Sequence, residues 1–293
     1  MTKGALRPEP LLVGRQSQLD DLWSQFEQST TGHLRVAFVA GEPGIGKTRL
    51  LREVSWRAEH AGAVVLWGGA SEAESMPPYL PFLEALGQHI RATTPDELRE
   101  QTGAMASVLA TILPELSVCL EHLPSSYPLP PEQARLRLYE AVSLFLVAIA
   151  ASHGLLLLLD DLQWADPASL DLLCHLARSQ PNARLFILGA YRQGDVTHPA
   201  AFERALTDLN RLRHLTSIML GPLPEPDLNI LAATLLGASV EQTLTCRLSA
   251  QSEGNPFFAE ELSGGGWKRA SFCRMRGRFA SVGQWTLGFL PAL

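Results

Sequence analysis

Residues 41–48 read GEPGIGKT, and the six before them, RVAFVA, form an apolar run of strand length. Two glycines with four residues between them, then lysine and a hydroxyl, make a phosphate-binding loop, and each position has a physical job. Gly41, Gly44 and Gly46 let the backbone curl so that successive N–H groups point inward at an anion. Lys47 places a point charge on terminal phosphates, and Thr48 offers its hydroxyl to a divalent cation. Ile45 and Arg49 complete the set expected around the phosphates. Leu50, Leu51, Val54 and Trp56 are spaced among charges as in a helix, so one is predicted over Lys47–His60 with its N-terminus facing the anion. A plain glycine-rich turn between strand and helix is the competing reading. Strand, Lys-Thr pair and helix in one register favour a nucleoside triphosphate site.

The 293 residues suit one large α/β domain and a smaller companion. Four scattered cysteines, Cys119, Cys174, Cys246 and Cys273, show no metal spacing and read as buried reduced thiols in a cytoplasmic protein. MTKGALRPEP lacks the apolar core of a secretion signal. Ala141 to Leu159 is nearly apolar over a membrane-spanning length, but Ser152-His153-Gly154 interrupts it and Asp160-Asp161 ends it. A helix, a turn and a buried strand are expected there, and no membrane span. Net charge is −6; residues 264–293 contribute +5, so the first 263 carry −11. An acidic body of this kind is a poor electrostatic match for DNA.

Strand and helix alternate along most of the chain. Strand patterns lie at 35–40, 63–69, 155–160, 184–191 and 216–220, separated by helical patterns at 47–60, 132–150, 167–179 and 199–209. Within 132–150, Leu136, Tyr139, Val142, Leu146 and Ile149 recur at three- and four-residue intervals and are predicted to form one buried face. Such alternation implies a parallel sheet covered by helices on both faces, the α/β class. Residues 71–131 break the rhythm with nine prolines and short helical pieces, and are expected to be a helical insertion between the second and third strands.

The run LLLLLDDLQWADP, 155–167, supplies the second element. Five leucines suit a central strand buried on both faces, which delivers Asp160 and Asp161 to the sheet edge that carries the phosphate loop. Asp160 is expected to hold Mg²⁺, through water or through Thr48. Asp161 is expected to orient or deprotonate an attacking water. A cap for the helix that follows is the lesser, competing reading of two adjacent carboxylates after a buried strand. LFILGAYRQGD, 185–195, is a third strand whose Arg192 emerges on the same edge, where it is expected to touch a γ-phosphate. Trp164 and the other tryptophans read as core.

Taken in order, LLVGRQSQLDDL (11–22), GEPGIGKTRLL (41–51), the DDLQWADP run, LGAYR (188–192) and EGNPFFAEEL (253–262) resemble the ATPase module of the STAND class, a relative of the AAA+ ATPases. More narrowly, they resemble the module of large bacterial LuxR-type transcriptional regulators, similar versions of which adjoin cyclase and Ser/Thr kinase domains. The resemblance implies that Val13, Gly14 and Arg15 lie against adenine and ribose, and that Pro256 packs on the base from a helical lid. Plain turns before helices explain the same residues when taken alone.

The expected organisation is a lead over 1–32, an ATPase core over 33–220, the start of the lid over 221–262 and an atypical basic tail over 263–293. The tail lacks the family pattern and is read as a truncated or frame-shifted end, with a genuine short protein as the alternative. The resemblance implies binding of ATP or ADP with Mg²⁺, slow hydrolysis and a switch role in signalling or transcription. Expected partners are the nucleotide, further copies of the chain or other regulator domains; direct DNA contact is not expected without a helix-turn-helix. The other function class is a non-catalytic nucleotide-binding scaffold, or an inactive fragment of such a regulator.

Overall fold

Five parallel strands in the order β2-β3-β4-β1-β5 make the central sheet of the computed structural model, which describes residues 12–73, 76–120, 123, 128–193, 199–212, 215–236, 239–240, 248–262, 272–275 and 278–281. The strands are β1 (Arg35–Gly41), β2 (Val64–Gly69), β3 (Leu155–Asp160), β4 (Leu185–Arg192) and β5 (Leu215–Leu220). The described residues fall into two compact units. One holds Gln16–Pro43 and Lys47–Leu220; the other holds the residues just before Gln16, Gly44–Gly46 and the chain from Gly221 onward.

In the first unit, α1 (Gln16–Thr30), α2 (Lys47–His60), α7 (Pro131–Ala150), α8 (Pro167–Ser179) and α9 (Ala200–Arg211) flank the sheet. From β1 the chain crosses in one direction to reach β2, and from β3 onward it returns in the other. Right-handed crossovers therefore place helices on both faces. Five leucines of β3, Leu155 to Leu159, are each 0% exposed. Alternate ones, Leu155, Leu157 and Leu159, join a core with Val142 and Leu146 of α7 and Leu173 and Leu176 of α8. Leu156 and Leu158 point to the opposite side of the pleat. A run with no polar position is what a strand buried on both faces requires.

The near-apolar stretch resolves as expected: α7 ends at Ala150, a turn follows, and β3 begins at Leu155. Among the described residues no helix is long and apolar enough to cross a membrane. One expectation for α7 is corrected. Tyr139, Val142, Leu146 and Ile149 are buried, but Leu136 is 55% exposed. The first six residues of α7 are all exposed, so among the described residues nothing buries this end of the helix. The tryptophans are corrected too. Trp23, Trp56, Trp67 and Trp164 are only partly buried, as befits a side chain too large to be enclosed easily.

Between β2 and α7 the chain forms α3 (Leu80–Ala92), α4 (Pro95–Thr102), α5 (Ala106–Leu109) and α6 (Glu115–Cys119). Asp166 ties the start of α3 to the start of α8. Its carboxylate accepts from the N–H groups of Ala168 and Ser169, capping α8, and from Tyr79 N–H at the start of α3. Gly189 of β4 sits against Leu162 and Phe38. A Cβ there would come within 2.5 Å of Leu162 Cδ1 and 2.8 Å of the Phe38 ring.

The second unit contains α10 (Glu225–Leu236), a helix at Pro256–Glu261 and a small sheet of Ser239–Val240, Phe272–Met275 and Arg278–Ser281. Leu223, Leu228, Leu231, Ala232, Leu248 and Ala259 form its core. Two of these short strands, Phe272–Met275 and Arg278–Ser281, lie in the tail. The rest of 263–293 lies outside the described residues.

Candidate functional site

The carboxyl ends of β1, β3 and β4 line up, because each strand's register is fixed by its neighbours. Gly41 lies opposite Arg192, and Asp160 opposite Gly69 of β2. Lys47 begins α2 and is buried, with Nζ donating to the carbonyls of Gly41 and Glu42 at 2.9 Å each. Two of the ammonium's three protons are thus turned onto loop carbonyls. Burial lowers the Lys47 pKa, and Arg192 lowers it further, while Asp161 and Asp160 oppose the shift. That balance puts two cations and two carboxylates within electrostatic reach of one another.

Thr48 lies one residue into α2, and its hydroxyl donates to Asp160 Oδ2 at 2.7 Å, joining residues 112 apart in sequence. Burial raises the Asp160 pKa, opposed by the Thr48 hydrogen bond. Its other oxygen, Oδ1, accepts from Asp161 N–H at 2.9 Å. Asp161 adopts φ 53°, the left-handed region that few non-glycine residues enter and that aspartate tolerates better than most. Its Oδ1 accepts from Gln163 Nε2 at 2.8 Å and lies 3.4 Å from Arg192 Nε. Arg192 N–H in turn donates to Gln163 Oε1 at 2.9 Å.

Within the second unit, Gly44 and Gly46 take φ of 76° and 101°, as the tight loop demands. A Cβ on Gly46 would meet nothing within 4 Å, whereas one on Gly44 would lie 2.7 Å from Phe257 Cβ. Asn255 caps the helix that starts at Pro256, accepting from Phe257 N–H. Arg15 is buried, and its Nη2 donates to the carbonyls of Ile45 at 3.3 Å and Gly221 at 2.5 Å. Burial lowers its pKa and Asp227 opposes the change. Gly14 has φ 68° and closely approaches the Asp227 carboxylate. Val13 and Pro256 are partly buried. Arg49 is partly exposed, with Glu53 one turn on at 3.9 Å.

A magnesium triphosphate fits these residues. Lysine ammonium stands at the start of α2, and the Thr48–Asp160 pair is an all-oxygen donor set of the kind a hard cation takes. Lys47, Thr48, Asp160, Asp161 and Arg192 are thus brought together in the first unit. Two contributors went unnoticed in the sequence. Gln163 is 2% exposed, and its only sequence signal is an amide two residues past a carboxylate pair. Asp166 had a readable signal, Asp-Pro opening a helical pattern, which is a common cap.

The AAA ATPase domain family model matches residues 11–188. Hybrid signal transduction histidine kinase G of Dictyostelium discoideum is 26% identical over 179 residues, which cover 57% of this chain and 5% of that protein. The chain therefore spans a small fraction of the relative it matches. Among solved structures, the STAND protein with a tetratricopeptide repeat sensor from Pyrococcus horikoshii superposes with TM-score 0.44 at 14% identity, covering 86% of this chain and 30% of that one. AMPPCP-bound DnaA from Aquifex aeolicus gives TM-score 0.49 at 14% identity, covering 87% and 62%. A RuvB variant from Thermotoga maritima gives 0.45 at 15%, covering 88% and 63%.

Proposed function

Because the chain belongs to the AAA ATPase domain family, we propose that it is a Mg²⁺-dependent, slowly hydrolysing ATP switch module of a signalling or transcriptional regulator. The observation that carries this reading is the 2.7 Å bond from Thr48 to Asp160, with Lys47 beside it and the Asp161–Arg192 pair on the adjacent strand ends. Lys47 holds the β- and γ-phosphates. Thr48 and Asp160 hold Mg²⁺, which neutralises charge on those phosphates when bound. Asp161 orients a water for in-line attack on the γ-phosphorus and accepts its proton as the bond to the β–γ bridging oxygen breaks. ADP and inorganic phosphate leave. Arg192 contacts the γ-phosphoryl oxygens, and catalysis is mainly positional and electrostatic.

For Val13, Gly14 and Pro256 the family resemblance supports a place against the adenine and ribose. Arg15, in the same set, spends its guanidinium on the Ile45 and Gly221 carbonyls, so its contribution is to brace the loop. The narrower assignment to large LuxR-type regulators rests on the order and spacing of the motifs, and further copies or other regulator domains are the proposed protein partners.

The test is nucleotide binding and single-turnover phosphate release by the purified chain, with and without Mg²⁺. Absence of ATP binding in millimolar Mg²⁺ would remove the reading. One observation favours the second reading, a scaffold that holds nucleotide without turnover: Asp161 Oδ1 is already engaged by Gln163 and Arg192. Binding without phosphate release would select it.

A further inference from the structure

We propose that Gln163 is a positioning residue of the hydrolytic site, a side chain that holds Asp161 and Arg192 in one arrangement. The inference rests on the ATPase reading given above and deepens it. Gln163 lies in the short 3₁₀ turn Leu162–Trp164 after β3 and is 2% exposed. Its two polar ends reach different strand ends. Oε1 accepts from the backbone N–H of Arg192 on β4, and Nε2 donates to the Asp161 carboxylate after β3.

The chemistry of these neighbours fixes how the amide faces. A backbone N–H can only donate and an ionised carboxylate can only accept, so oxygen must face Arg192 and nitrogen Asp161. Among side chains of this length only glutamine offers both. Glutamate would keep the acceptor for Arg192 but set a second negative charge against Asp161. Methionine would fill the space and satisfy neither end.

The restraint is needed at both places. Asp161 has left-handed backbone dihedrals, a conformation that persists only where surroundings over-determine it. The hydrogen bond from Gln163 to Oδ1 supplies part of that determination. Asp161 Oδ2 has no partner among the described residues, so fixing Oδ1 aims the second oxygen. Arg192 is the last residue of β4; on the β1 side Gln193 N–H still donates to the Gly41 carbonyl at 3.1 Å, but the pairing with β3 ends at Gly189, and Gln163 takes up the Arg192 N–H beyond that point. Its side chain pairs with Asp161 at 3.4 Å and is left to move when a phosphate competes. A small error in the placement of either group is enough to slow an in-line displacement strongly.

The test uses the full chain with Gln163→Glu, Gln163→Met, Asp161→Asn and the Gln163→Glu/Asp161→Asn pair. Single-turnover hydrolysis of Mg-ATP is measured beside dissociation constants for ADP and a non-hydrolysable ATP analogue. For Gln163→Glu, both affinities should stay within about 2-fold of the original chain while hydrolysis falls on the order of 10-fold or more, the scale expected when support for a reacting group is lost. Placing it on Asp161→Asn should add little further loss, since the two act through one group. Gln163→Met should also reduce the preference for the ATP analogue over ADP, because Arg192 loses its anchor.

Full hydrolysis in Gln163→Glu, or losses that multiply in the double variant, would overturn the proposal. If the original chain binds nucleotide but releases no phosphate, the hydrolytic reading falls. The anchoring of Arg192 is then judged by the analogue-to-ADP ratio, and an unchanged ratio in Gln163→Met overturns it. If Gln163→Met does not fold, the split between affinity and rate in Gln163→Glu decides.

Discussion

The carboxylate of Asp166 accepts a hydrogen bond from Tyr79 N–H at 3.1 Å, 87 residues away, while the same side chain caps α8. Tyr79 is at φ 67°, immediately before α3, so one aspartate holds both the entry of an insertion helix and the start of a core helix.

Asp166→Ala should therefore cost more than an ordinary cap. The cap alone is worth about 1–2 kcal/mol, and Tyr79 N–H loses its acceptor as well. Urea unfolding should show the loss, and Asp166→Asn should recover part of it. A midpoint unchanged in Asp166→Ala would mean the bonds to Tyr79 and α8 contribute nothing net.

Lys47→Ala removes the buried cation whose Nζ lies on the Gly41 and Glu42 carbonyls. ATP and ADP affinities should fall by roughly 10-fold or more, since charge-assisted contacts to phosphate are strong, while adenosine affinity barely changes. Calorimetric titration of all three compares them. Equal losses would show that the lysine does not read phosphate.

Asp161→Asn is nearly isosteric and leaves Thr48 and Asp160 in place. ATP binding should hold while single-turnover hydrolysis drops by roughly 10²-fold, the usual scale for a general base. An unchanged rate would make Asp161 a purely structural residue.

Arg192→Ala breaks the pair with Asp161, whose side chains are 42% and 37% exposed. An ion pair that open contributes about 0–1 kcal/mol, so stability should hardly move. The effect should fall on the preference for ATP over ADP, measured by competition at equilibrium. If that preference survives, Arg192 does not contact the γ-phosphate.

Burial pushes the Cys174 thiol up to about 11, with Asp208 adding to the shift. At pH 8 its thiolate fraction is then ~10⁻³, so iodoacetamide should leave it intact in the native chain. Cys119 is partly exposed and should be labelled first. Mass spectrometry after short labelling separates them, and equal rates would contradict the packing of α8 against α9.

Much of the first unit was legible because its signals are local. Helices at Lys47–His60 and Pro167–Ser179 and the strand Leu155–Asp160 begin and end where apolar pattern, proline and charge say they should. Leu136 misled because periodicity says which face of a helix is apolar, not whether anything lies opposite it. Gln163 was silent for another reason. Its role depends on Arg192, 29 residues on, and only the pairing of β3 with β4 brings the two together. Arg15 reaches Gly221 across 206 residues, which no local pattern records.

Gly189 offers a way to see how finely the edge of the sheet is gauged. It is three residues before Arg192, and the slot it occupies beside Phe38 and Leu162 has no room for a methyl group. Sliding β4 by one position would press Leu188 or Ala190 into that slot. Each residue of a strand advances about 3.3 Å and reverses the side to which its side chain points. Arg192 would then miss Asp161 by more than the length of a hydrogen bond and face the wrong way. A lone hydrogen atom on the strand's inner stretch thus acts as the stop on a ruler, and grafting the charged edge onto another sheet would fail unless that stop were carried with it.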